Sequence, residues 1–229
     1  DLGLEEAWNY GFNYTQNFMI LHRKGSISLD IYRTDFVRQV LVDVERDPKQ
    51  VSFYNLTGAS YSNSALAVVQ YNLLPGLDVK VGYKWNDVRS TFAAATSTEG
   101  QLRTVPMVAK HRGLLSVDYM TPNKRWTINT HIQMVGPQRL PDNAQVPHEY
   151  THDFPAASPT FALWNAQVTR HWNKFELYAG CENITGFQQH HTIIAAKEPW
   201  GDYFNGSQVW APMMRQIGYV GVRFSPSGL

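Results

Sequence analysis

The 229-residue sequence predicts an all-β fold, an antiparallel up-and-down meander of about nine long strands. Three observations carry that expectation. Successive stretches of the chain alternate apolar and polar positions, the period of a strand with two different faces. The eight connections between them are alternately short and long, without a break in phase. Composition is rich in aromatics (13%) and poor in charge (17%), against about 25% charged residues in an ordinary soluble domain.

The same composition limits function. A net charge of +1 gives no electrostatic case for nucleic acid or for a polybasic membrane anchor. One cysteine, Cys181, excludes an internal disulfide framework. No apolar run approaches the roughly 18 residues of a membrane-spanning helix. A mean hydropathy of −0.35 leaves a membrane barrel open, because only alternate residues of a spanning strand meet lipid. The chain starts at Asp1 without a signal-peptide pattern and opens almost directly into a strand, so it reads as part of something longer or as a processed chain.

In residues 8–20, Trp8, Tyr10, Phe12, Tyr14, Phe18 and Ile20 share one face. The other face is Asn9, Gly11, Asn13, Thr15 and Asn17, an asparagine-rich set that suits a hydrated interior better than a free surface. A turn at Arg23-Lys24-Gly25 leads into a strand over 26–44, with Ile27, Leu29 and Ile31 on one side. Asp47-Pro48 breaks it, and a third strand is expected over 51–72. Pro75-Gly76 is a tight-turn signal. Leu77, Val79, Val81, Tyr83 and Trp85 then alternate with Asp78, Lys80, Gly82, Lys84 and Asn86. Further strands are expected over 108–120, 126–134, 161–172, 175–182 and 216–224.

Short connections fall at 23–25, 75–76, 121–124 and 173–174, and long ones at 44–50, 93–104, 137–159 and 185–212. All short turns therefore lie at one end of the meander and all long loops at the other, the layout of an outer-membrane barrel. Trp8, Trp85, Trp126 and Trp172 near strand ends fit interfacial girdles. A soluble β-sandwich is the competing architecture, but its strands usually run about 5–6 residues.

With the strands laid out, the chain resembles the C-terminal part of the barrel of a TonB-dependent outer-membrane receptor, most closely those of the Bacteroidetes. The resemblance is carried by Ala7-Trp8-Asn9-Tyr10-Gly11, Tyr32-Arg33-Thr34-Asp35-Phe36, Tyr61-Ser62-Asn63-Ser64, Lys110-His111-Arg112-Gly113, Glu182-Asn183-Ile184-Thr185 and Gly221-Val222-Arg223-Phe224, taken in order and spacing. It implies that the meander is part of a larger transmembrane β-barrel of about 22 strands, plugged by an N-terminal domain that lies outside this chain. It also implies the partners: the remaining strands and the plug, on the same protein or a split chain, TonB through the plug, outer-membrane lipid and a nutrient ligand. It further implies a location in the outer membrane of a Gram-negative bacterium. Phe224 corresponds to the terminal aromatic that acts as the assembly signal, although residues 225–229 follow it, and Glu5-Glu6 stands where the family has Pro-Glu.

No nucleophilic or paired-carboxylate arrangement can be assembled, so no enzyme and no cofactor is expected. His148-Glu149-Tyr150-Thr151-His152 matches H-E-x-x-H, which needs a helix to bring both histidines to one face. Pro147 and Pro155 bracket it and argue for a loop, leaving a surface metal or haem-iron contact, or simple solvation. Adjacent His190 and His191 point apart on an extended chain, near Trp200, Tyr203, Phe204 and Trp210 in the last long loop. Candidate ligand contacts at the mouth are therefore Arg139, His148, His152, His190, His191, Trp200, Tyr203 and Trp210. Lys80, Lys84, Arg112 and Arg170 are expected in the lumen, where they would attract an anionic metal chelate or pair with other charges. The expected function is energy-coupled uptake of a scarce bulky nutrient such as an iron chelate, haem or cobalamin. A stand-alone outer-membrane pore or adhesin, and a soluble all-β binding module, are the alternatives.

Overall fold

The computed structural model describes residues 2–47, 49–93 and 100–226. Asp1, Pro48 of the expected strand break, residues 94–99 of the second long loop and residues 227–229 of the tail lie outside the described residues. In chain order the elements are β1 (Glu6–Ile20), β2 (Arg23–Arg38), β3 (Val40–Asp47), β4 (Gln50–Asn55), β5 (Ser60–Leu74), β6 (Leu77–Phe92) and β7 (Gln101–Thr104). Then come β8 (His111–Met120), β9 (Trp126–Val135), α1 (His148–Thr151), β10 (Phe161–His171), β11 (Phe175–Glu182) and β12 (Ile217–Phe224). The main sheet runs in the order β1-β2-β5-β6-β8-β9-β10-β11-β12, with β7 beside β6, while β3 and β4 pair as a separate hairpin. All these pairings are antiparallel.

Directly opposed residues of an antiparallel pair point to the same face, so the register can be followed across the sheet. Phe12 faces Ile31, and Ile31 faces Ala65. Val69 opposes Val81 and Val81 opposes Leu115. Leu115 continues to Ile132, and Ile132 to Trp164. Val168, Ala179 and Val220 complete the row. This face is apolar from the first strand to the last. The opposite face carries Asn13 and Asp30, joined by a side-chain hydrogen bond, then Ser64, Lys80, Ser116, His131, Asn165 and Gln167. One face suits hydrocarbon and the other water.

The buried apolar residues lie elsewhere. Leu41, Phe92, Ala109, Leu140, Val146, Phe161, Ile194 and Ala195 all sit in the long connections or at strand ends beside them. Phe12, Ile31, Val81 and Val220 of the sheet face remain exposed on the protein itself. No second protein layer covers that face among the described residues. An apolar surface of this extent needs another solvent.

Several boundaries differ from expectation, each for a physical reason. The second strand does not run unbroken to residue 44. Its pairing with β1 ends at Arg38, beside a bulge at Glu6 and Ala7. Residues 40–47 then pair with 50–55 as a hairpin, because the membrane sheet offers them no further partner. Glu5 and Glu6 hold this bend: Glu5 Oε1 accepts from the Val40 N–H at 3.2 Å, and Glu6 pairs with Arg38 at 2.5 Å. The third strand accordingly starts at Ser60 rather than 51.

The first turn is Leu21-His22, not Arg23-Lys24-Gly25, since Ile20 pairs with Arg23. Both turn residues have positive φ (51° and 59°), as a two-residue hairpin turn demands, but neither is the Asn or Gly that would signal it. Gly25 serves packing instead: a Cβ there would lie 2.3 Å from the Phe18 ring laid across it. A single helical turn, α1, occupies the segment expected as loop, with Pro147 at its N-cap, where a missing N–H costs nothing.

Val81→Arg places a charge mid-strand on the apolar face, between Val69 and Leu115. The expected loss in stability of the barrel folded into phospholipid vesicles is about 2–4 kcal/mol, read by denaturant titration. Ser116→Arg, on the opposite face, is expected to cost much less.

Candidate functional site

The described parts of the four long connections lie at one end of the sheet: residues 39–47 and 49–59, 93 and 100–110, 136–160 and 183–216. Polar side chains buried between them knit these loops into a cap. Glu45 on β3 is the first tie, its side chain only 2% exposed. Its Oε1 accepts from Arg139 Nη2 at 2.7 Å and from the Asp142 N–H at 2.6 Å, and its Oε2 lies 3.6 Å from Arg103 Nη1. Arg139 Nη1 also donates to the Thr104 carbonyl at 3.1 Å, while Arg103 lies 5.3 Å over the Phe92 ring. One carboxylate thus joins three loops and serves two guanidiniums.

Tyr54 of the same hairpin donates to Asp43 Oδ2 at 2.6 Å. Burial first, and that hydrogen bond second, push its phenol up to about 12. Asp43 is fully buried and also accepts the Glu45 and Arg46 N–H groups, which fixes the approach to Glu45.

Asn183 closes the last loop. Its φ of 51° is the left-handed conformation that asparagine tolerates better than most residues. Its Nδ2 donates to the carbonyls of Phe187 (2.7 Å), Arg215 (3.0 Å) and Met214 (3.2 Å), so both ends of the loop are pinned to one side chain. Buried Gln189 adds a second pin. Its Nε2 donates to the His191 and Gln208 carbonyls (2.7 and 2.6 Å), and its Oε1 accepts from the Trp210 and Ala211 N–H groups (2.9 and 3.2 Å).

Two clefts open on this cap. One, of about 610 Å³, takes Arg139, His148, His152 and Asp142 into its wall. The other, of about 410 Å³, takes His190, His191, Trp210, Asp153 and Gln188. Phe154 and Pro155 border both. Asp153 Oδ2 lies 3.0 Å from His152 Nε2 and 3.6 Å from His191 Nδ1, so one carboxylate links the histidines of the two loops.

The eight mouth residues therefore do not form one pocket. Arg139 is held by Glu45, and Trp210 packs 5.8 Å from Phe161 and 6.2 Å from Phe187. Tyr203 meets Tyr150 at 5.9 Å and lies beneath Lys49, which pairs with Asp202 at 2.7 Å. The Tyr150 hydroxyl donates to Glu198 Oε2 at 3.0 Å, and that bond first, with burial second, raises its pKa. Trp200 is 99% exposed and touches neither cleft. Among the described residues no group of three or more His, Cys, Asp or Glu is placed to hold a metal ion. Phe224 sits far from the cap at the other end of the sheet, 4.9 Å from Phe175.

Below the cap, Lys80, Lys84 and Arg112 line one recess of about 310 Å³ on the polar face. Lys84 stands directly opposite Arg112, and none of the three makes an ion pair among the described residues. Arg170 is not with them. Its register partners are Trp126 and Leu177, which puts it on the apolar face. Residue type alone suggests the lumen for a cation, but the ladder decides its side.

A capped sheet with one polar and one apolar face defines a segment of an outer-membrane-type transmembrane barrel. Residues 1–184 match the family described as TonB dependent receptor-like, beta-barrel, and the chain belongs to that family. Such barrels sit in the Gram-negative outer membrane, so the short turns face the periplasm and the long loops the exterior.

The fold is similar to the ferric-catecholate import receptor Fiu from E. coli K12 (TM-score 0.61, 14% identity, 97% of this chain and 28% of that one). It is also similar to the copper transporter OprC (TM-score 0.62, 12% identity, 95% and 31%) and to the FrpB iron transporter from Neisseria meningitidis (0.57, 13%, 97% and 31%). The chain thus spans about three tenths of the length of these solved structures. No curated protein sequence matches it.

Among the family-like segments, Tyr32–Phe36 and Tyr61–Ser64 build a polar ladder on the outer wall near the cap. Tyr10 donates to Asp35 Oδ2 (2.5 Å), and Arg33 binds Asp35 (2.7 Å) and Asn63 Oδ1 (3.2 Å). Glu45, Asn183 and Gln189 escaped sequence reasoning as functional residues. Only Asn183 carried a signal, inside the family-like segment Glu182-Asn183-Ile184-Thr185.

Glu45→Gln removes the charge that two partly buried guanidiniums share. The expected local loss is about 3 kcal/mol, the lower end for breaking a buried pair, since both arginines keep about a quarter of their side chains in solvent. Limited proteolysis is expected to cut residues 136–160 faster, with the heat resistance of the barrel wall unchanged.

Proposed function

We propose that this chain is the C-terminal portion of the barrel of a TonB-dependent importer, of the Bacteroidetes type. Its cap binds a scarce, bulky, anionic nutrient complex: an iron chelate, haem or cobalamin. The observation that carries the reading is the polar wall, with Lys80, Lys84 and Arg112 free of ion pairs among the described residues beneath a cap holding two clefts. Uncompensated cations on a water-facing wall favour an anionic solute by focusing its field there.

In this reading Arg139, His148 and His152 contact the ligand from one cleft, and His190, His191 and Trp210 from the other. Tyr203 supports the wall through Tyr150, and exposed Trp200 makes the first encounter. The chain performs no chemistry. Energy arrives from TonB through a plug contributed by another part of the receptor.

Three further features support this reading. β1 and β12 stand at opposite ends of the strand order, each paired on one side only among the described residues. An unpaired edge of eight or more residues in hydrocarbon leaves backbone groups unsatisfied, so more strands must adjoin both. The three solved structures of similar fold are a ferric-catecholate import receptor, a copper transporter and an iron transporter. Phe224, in register with Phe175 on the outward face at the end of the last strand, is consistent with a role as the assembly signal.

The test is uptake by the intact receptor in cells. Lys84→Glu combined with Arg112→Glu is expected to weaken binding of an anionic ferric chelate by about tenfold or more, or about 1.4 kcal/mol per decade. Undiminished uptake after the inner membrane is de-energised would mark a passive pore. A monodisperse, detergent-free product would mark a soluble module.

A further inference from the structure

Arg170 stands on the hydrocarbon face at its periplasmic margin, in register with Trp126 and Leu177. Its guanidinium lies 4.9 Å over the Trp126 ring and 5.5 Å over the Trp172 ring. A cation on an aromatic face gains from the ring quadrupole while its N–H edges stay available. Those edges are unused, for Arg170 makes no side-chain hydrogen bond or ion pair among the described residues.

Lys124 and Arg125, on the adjacent turn, join Arg170 and Trp172 in lining a recess of about 800 Å³ at the periplasmic edge, where Met120, His171 and Glu176 of the polar face also border it. Neither Lys124 nor Arg125 makes an ion pair among the described residues. The one acid in the lining, Glu176, is committed elsewhere. It is buried, with His171 Nδ1 at 3.0 Å and Arg223 Nη1 at 2.8 Å on the polar face. Three cations therefore share a site without an available counter-charge. Directly above them on the same face run Ile128, Val168 and Leu177.

We propose that this rim binds an acidic phospholipid of the periplasmic leaflet. The phosphate is held by Arg170, Lys124 and Arg125, and the acyl chains lie along Ile128, Val168 and Leu177. The apolar row that shares a face with Arg170, namely Ile128, Val168 and Leu177, favours a lipid over a soluble anion, which has no use for it. Trp126 and Trp172 form the two sides of the headgroup seat, indole being suited to that depth of the bilayer. The site depends on the membrane placement of the strands and not on what the receptor transports.

The intact receptor in neutral-detergent mixed micelles provides the test, with acyl-brominated phosphatidylglycerol and phosphatidylcholine as quenchers of tryptophan fluorescence. Phosphatidylglycerol is expected to quench at a lower mole fraction, with a preference of about fivefold for each cation engaged. Arg170→Gln with Lys124→Gln is expected to abolish that preference. Arg170→Lys keeps it, which separates lost charge from a misfolded rim, and Lys80→Gln in the lumen leaves it unchanged. Equal quenching by both lipids, a preference that survives the double substitution, or displacement of phosphatidylglycerol by millimolar inorganic phosphate would overturn the lipid site. Nutrient binding measured on the same preparations tests the importer separately.

Discussion

The antiparallel ladder is the constraint on which everything else rests. In hydrocarbon a backbone N–H or C=O without a partner costs several kcal/mol, so each strand must be paired along its membrane length. Pairing then dictates sidedness. Once Phe12 faces Ile31 and Ile31 faces Ala65, every alternate position across nine strands is committed to one face. A slip of one residue in any pair would turn a strand's apolar set into the aqueous lumen and its lysines into lipid. Along most of the membrane rows the register and the alternation agree, Arg170 being an exception, and that agreement is what makes the sheet a wall.

The consequence is an inverted division of labour between sheet and loops. In a soluble domain, strands supply the buried core and loops run over the surface. Here the strands keep their large apolar side chains exposed for lipid, and the buried apolar residues collect in the loop cap or at strand ends beside it. The cap is held less by apolar contact than by polar side chains that satisfy loop backbone. Glu45 ties three loops, Asn183 pins both ends of the fourth, and Gln189 uses its whole amide within it. Buried polar groups of this kind favour one arrangement, because each alternative strands a donor or acceptor. A rigid cap can present clefts, which a set of loose loops cannot.

Charge is distributed by the same geometry. Cations at lumenal positions face water and any solute in it, whereas Arg170, one register step away, faces the bilayer margin between two indoles. The outer wall near the cap carries its own polar ladder of Tyr10, Arg33, Asp35 and Asn63, internally paired. The periplasmic margin carries cations that are not. The two ends of one wall thus differ in electrostatic character although their residue types are similar.

The sequence by itself determined the strand alternation, the phase of short and long connections, and hence the wall and its family. Those signals are local and repeat every second residue, so they survive without knowledge of partners. It did not determine where strands stop being membrane strands. Residues 40–55 are as strand-like as residues 26–38, and only the end of β1 ends the pairing. Nor did it determine the cap. Glu45 and Arg139 are 94 residues apart, and nothing in either neighbourhood announces the contact. His148 and His152 share a motif, but Asp153 links His152 to His191 in another loop. Arg170 could be assigned a face only by its ladder partners. Periodicity belongs to the chain, while long-range pairing belongs to the fold, and the site is built from the second.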